Sequence, residues 1–117
     1  MNPAEDLLAM HLTELGLSFE RQFLYAKGRK LRADFVVWRT IWATDKVSIQ
    51  EGLLVEVVGG IYGRGGKAHG SITGILADLD RLNAATINGF YMLRFTPEQV
   101  ENGTAKALIE AALGRKA

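Results

Sequence analysis

Apolar and polar positions follow one another along the chain in two rhythms, and the switches between them divide it into elements. Leu7, Leu8, Leu12 and Leu15 recur at helical spacing, which predicts a first helix from about Ala4 to Leu15, opened by Asn2 and Pro3 and stopped by Gly16. Phe19, Arg21, Phe23 and Tyr25 alternate with their neighbours as a half-buried strand does, and Lys27-Gly28 marks the turn that ends it. A second strand is expected near Leu31 to Arg39 and a third from Leu53 to Val58, both rich in β-branched residues. Between them the more polar stretch from Thr40 to Gly52 reads as a long hairpin connection, and Tyr62 to Ser71, with four glycines, reads as loop. Helical spacing returns at Ile72, Ile75, Leu76, Leu79, Leu82 and Thr86, predicting a helix from Ile72 to Ile87 that Asn88-Gly89 ends. Phe90 to Phe95 predicts a fourth strand, and Thr96-Pro97 opens a last helix that Asn102-Gly103 can break in two.

The order helix, three strands, helix, strand, helix is that of an α/β fold. A helix between the third and fourth strands lets those two run parallel, so a mixed central sheet flanked by helices is expected. At 117 residues the chain is one domain, long enough for one core and too short for two.

Composition narrows the chemistry. The chain has no cysteine, which removes disulfides, thiolate metal sites and cysteine nucleophiles and suits a cytoplasmic protein. No apolar run approaches the ~18 residues of a membrane span, so no membrane partner is expected. The formal net charge of +1 conceals an uneven distribution. Lys27, Arg29, Lys30 and Arg32 crowd the approach to Asp34, and Arg64, Lys67 and His69 follow Glu56. Such clusters often do no more than face water, but here they flank two acids embedded in apolar strands, as a site for an anionic substrate would.

Those two acids, Asp34 in Ala33-Asp34-Phe35-Val36-Val37 and Glu56 in Leu53-Leu54-Val55-Glu56-Val57-Val58, are the candidate chemistry. A buried lone carboxylate is costly unless a cation sits beside it, and a divalent metal is the simplest such partner. On paired strands the two acids can converge on one ion, while Gly59-Gly60 leaves room for a bulky ligand. Internal ion pairs to Arg32 or Arg94 would also satisfy them. The glycine spacing fits neither the Walker pattern nor the dinucleotide fingerprint.

With these residues in place the chain resembles the PD-(D/E)xK restriction-endonuclease-like superfamily, near the small phage and bacterial virus-type replication-repair and Vsr-like nucleases. The resemblance rests on Glu56-Val57-Val58-Gly59-Gly60, Gly63-Arg64, His69, Asp78, Arg81, Asn83-Ala84-Ala85, Gly89 and Leu93-Arg94-Phe95-Thr96. It implies a Mg²⁺- or Mn²⁺-dependent endonuclease with DNA as partner, and homodimers where branched DNA or a junction is cut. It makes Asp34, Glu56 and the main-chain carbonyl of Val57 the metal ligands, with Glu5 as an added first-helix acid. Lys27, Arg29, Lys30, Arg64 and Lys67 then meet nucleic-acid phosphates. Two departures stand out: Ala33 replaces proline, and Val58 stands where the family carries its lysine. Arg81 can take over phosphate clamping and His69 or Lys67 proton transfer, although His69 is equally read as an ordinary loop histidine. A catalytically weakened DNA-binding relative of the nuclease fold is the alternative.

Overall fold

The structure is a computed structural model in which residues 2–58 and 72–114 are described. Helix α1, Pro3–Glu14, starts where expected because the Asn2 side chain accepts hydrogen bonds from the main-chain nitrogens of Ala4 and Glu5. Strands β1 (Ser18–Leu24), β2 (Arg32–Trp42) and β3 (Ser48–Val57) form an antiparallel meander, and β4 (Tyr91–Phe95) joins β3 in parallel to give the sheet order β1-β2-β3-β4. Helix α2, Ile72–Ile87, leads from β3 to β4. Helices α3 (Pro97–Glu101) and α4 (Thr104–Ala112) close the described chain, split at Asn102-Gly103, where Gly103 takes a φ of +86°. A Thr96–Gln99 capping box holds the start of α3.

The stretch from Thr40 to Gly52 is not a long connection. Strand pairing runs on through Thr40↔Gln50 and Ile41↔Ile49 to Trp42↔Ser48, leaving a short turn in which Val47 O accepts from the nitrogens of Ala43 and Thr44. The polar residues are ladder residues on an exposed part of the sheet: Gln50 donates to Thr40 Oγ1 at 2.7 Å, and Arg39 pairs with Glu51. Cross-strand bonding of this kind stabilises a ribbon that has no apolar cover.

The sheet separates two apolar clusters. One gathers Phe35, Val37, Leu53, Val55 and Phe95 under α1, α3 and α4, with Leu8, Leu12, Val100 and Ile109 fully buried. The other gathers Val36, Leu54, Ala84 and Ala85 under α2. Phe19 packs edge-on against Phe35 in the first cluster, whereas Phe23 packs against Trp38 and Phe90 in the second. Residues four apart in a regular strand share a face, so β1 turns over between them, and it does so at Gln22, a non-glycine residue at φ +54°. Opposite, Ala33 belongs to the second cluster and Phe35 to the first, so β2 turns over at Asp34.

Helix α2 has the expected bounds and an unexpected orientation. Its face toward the sheet consists of Gly74, Asp78, Arg81, Ala84 and Ala85, while Ile72, Ile75, Leu76, Leu79 and Leu82 are exposed. The stripe read from the sequence is real but points outward, because the small residues let the helix lie close to the sheet and the two charged ones meet partners there.

Candidate active site

The site forms where the β2–β3 ladder stops. Its last pair is Phe35↔Val55, and Asp34 and Glu56 lie one residue beyond it on the two strands. In place of a ladder carbonyl, the Asp34 carboxylate accepts from the main-chain nitrogen of Val57 at 2.8 Å. The turnover of β2 at Asp34 thus aims this acid along the sheet toward β3.

Glu56 is the one buried charged residue among those described, at 9% exposure. Parallel pairing sets Arg94 of β4 directly beside it, and Arg94 Nε donates to Glu56 Oε1 at 3.1 Å. From α2, Arg81 Nη2 donates to Glu56 Oε2 and also to the main-chain oxygen of Arg32 at 2.7 Å. Asp78 lies 3.6 Å from Arg94 Nη1, so two acids and two arginines alternate across the β3–β4–α2 junction. Tyr25, almost fully buried, lies beneath: its ring is 5.7 Å from the Arg81 guanidinium carbon and its hydroxyl donates to Arg81 O at 3.5 Å. Burial pushes the Tyr25 phenol up, and it remains a donor through the neutral range.

Glu5 approaches from α1. Asn2 Nδ2 donates to Glu5 Oε2 at 2.8 Å, and Arg21 lies 3.9 Å from its other oxygen. Its carboxyl is raised above the ordinary range, first by burial and then by the negative charge of Asp34. Glu5, Asp34, Glu56 and Arg81 are therefore brought to one end of the sheet.

The remaining expectations separate. Lys27 and Lys30 are exposed around the β1–β2 turn, but Arg29 makes a two-point ion pair with Asp80 of α2, at 3.1 and 2.6 Å. That pairing lowers the Asp80 carboxyl and raises the Arg29 guanidinium. Arg64, Lys67, His69 and the Gly59-Gly60 pair lie outside the described residues. Val58 donates its main-chain N–H to Phe95 O at 2.7 Å and brings no cation. Arg94, read from sequence as one of two ion-pair candidates, is the partner the structure selects along with Arg81. Tyr25 was legible only as a strand residue. Its signal was its place after Phe23, at the end of an apolar alternation beside the basic turn.

Among the described residues, no three histidine or carboxylate side chains gather into a closed metal cage. Asp34, Glu56 and the Val57 carbonyl are a smaller set of hard oxygens, the ligand type that Mg²⁺ takes when it rests on one or two carboxylates and keeps several waters. Each Glu56 oxygen accepts one arginine bond, while a carboxylate offers about four acceptor positions, so donor capacity remains. No described helix is long and apolar enough to cross a membrane. Comparison of the chain with family models, with curated proteins and with solved structures gives no match.

Proposed function

We propose that this chain is a metal-dependent endonuclease of the PD-(D/E)xK type that hydrolyses DNA phosphodiester bonds, branched and junction DNA included. The observation that carries the reading is the placing of Asp34 and Glu56 together beyond the end of the β2–β3 ladder, with an arginine from the next helix on Glu56. Asp34, Glu56 and the Val57 carbonyl would hold Mg²⁺ or Mn²⁺, which supplies a water of lowered pKa and positive charge at the phosphate. Arg81 takes the part of the lysine missing at Val58. Both of its bonds run through Nη2, so the N–H groups on Nε and Nη1 remain to donate singly to phosphate oxygens. Arg94 positions Glu56, and the Tyr25 ring supports the Arg81 guanidinium from below. Lys27 and Lys30 hold the nucleic-acid backbone, with Arg64 and Lys67 proposed to join them, and His69 or Lys67 is proposed for proton transfer.

Wild-type protein with Mg²⁺ or Mn²⁺ is expected to cut a panel of branched and linear DNAs, and Asp34→Asn and Glu56→Gln are each expected to abolish cutting with the fold retained. Absence of cutting by the wild type, or wild-type turnover in either variant, would overturn the reading.

A second reading has one observation in its favour. Both Glu56 oxygens already accept from arginines, as they would in a DNA-binding relative that has lost catalysis. Mg²⁺ separates the two: a ligand that binds the folded state raises its melting temperature, and the second reading expects no rise.

A further inference from the structure

The outward face of α2 is an apolar stripe. Ile72, Ile75, Leu79, Leu82 and Thr86 follow one another in steps of three and four residues, the spacing of a coiled-coil stripe, with Leu76 and Ile87 along one side. Ile72 is 78% exposed, Leu79 51% and Ile87 82%. No charged residue interrupts the stripe; Asp78 and Arg81 are turned to the sheet and Asp80 is paired with Arg29. The helix therefore meets its own sheet with small residues and two charged ones and turns its large apolar side chains outward, unlike an ordinary surface helix.

We infer that this face is covered by the α2 helix of a second copy of the chain. Among the described residues, the six exposed isoleucines and leucines leave on the order of 600 Å² of apolar surface open, at the upper end of what a monomer carries and near the roughly 800 Å² per partner of a stable interface. A narrow stripe of this spacing is matched by a helix of the same spacing, and the chain itself carries one. Leu79 stands at the middle of the seam, so a two-fold axis that pairs α2 with itself sets Leu79 against its counterpart. This pairing is independent of the nuclease reading, because it rests on the face of α2 opposite to Arg81.

Sedimentation equilibrium over a micromolar range is expected to give the wild type twice the 12.8 kDa mass of the chain. Leu79→Glu and, separately, Ile72→Lys should give the single-chain mass with unchanged far-ultraviolet circular dichroism. Mixing Leu79→Glu with Leu79→Lys should restore the double mass, since opposite charges then meet across the axis. A wild type that stays monomeric at 100-fold higher concentration, or a dimer indifferent to both substitutions, would overturn the inference. So would a Leu79→Glu or Ile72→Lys chain that fails to fold, because that would place the stripe in the protomer's own core.

Discussion

Glu56 cannot be understood apart from the two guanidinium groups on it. Removing one partner of a buried ion pair leaves an uncompensated charge, typically at about 3–5 kcal/mol, but Glu56 would keep Arg94 if Arg81 were lost. Arg81→Ala is therefore expected to leave a folded protein whose DNA turnover falls on the order of 10²-fold, as loss of a positioned electrostatic stabiliser does elsewhere, with Arg81→Lys recovering part of it. Single-turnover cleavage measures the loss, and a Mg²⁺ titration of each variant should give nearly the wild-type affinity. Glu5 makes a different prediction. Its folded-state carboxyl is raised above the ordinary value of 4.5, so its ionisation opposes folding. The opposition is absent at low pH, where the group is protonated folded and unfolded, sets in as pH rises through 4.5, and is complete above the raised value. Glu5→Gln is expected to melt a few degrees higher than the wild type at pH 7, and thermal scans should show the gap closing toward pH 4. Asp34 and Glu56 were legible as acids isolated in apolar strands. Arg94 was legible only as an alternative to Arg32, because which β4 residue faces Glu56 depends on the parallel register, and a crossover of this length does not fix a register in advance.

Periodicity placed α2 at Ile72–Ile87 but did not say which side of it meets the sheet. A stripe records that apolar residues share a face; the inward side was decided by small residues and by the arginine that reaches Glu56, which no hydrophobic pattern weighs. The β2–β3 hairpin failed for the converse reason, since its outer rungs are polar and still pair. Gly52, read as the end of that supposed connection, is a packing position within β3. A Cβ there would stand 2.5 Å from Phe90 Cε1 and 3.1 Å from Trp38 Cζ3, in a ring cluster that has Phe23 on its other side. Gly52→Ala is expected to destabilise the fold by about 1–3 kcal/mol, the usual cost of overpacking, with a lower urea midpoint and unchanged slope.

Across the whole molecule, the cations divide into those already neutralised and those still open to a polyanion. Lys27 and Lys30 are exposed, whereas Arg29 is held by Asp80. Replacing both lysines by alanine should weaken DNA binding regardless of sequence and flatten its salt dependence by about 0.9 per lost phosphate contact, while Arg29→Ala should change the slope less. Fluorescence anisotropy across a salt series reads both. The parallel pairing of β3 with β4 has a consequence in time as well as in space. The meander β1-β2-β3 closes through short turns, but Arg94 reaches Glu56 across 38 residues of chain, a longer loop whose closure costs more chain entropy. Until β4 docks, Glu56 stands on an unprotected sheet edge without Arg94. The site is thus not complete when the meander closes, so a nascent chain interrupted before Arg94 would carry both acids of the proposed centre and lack the strand that positions one of them.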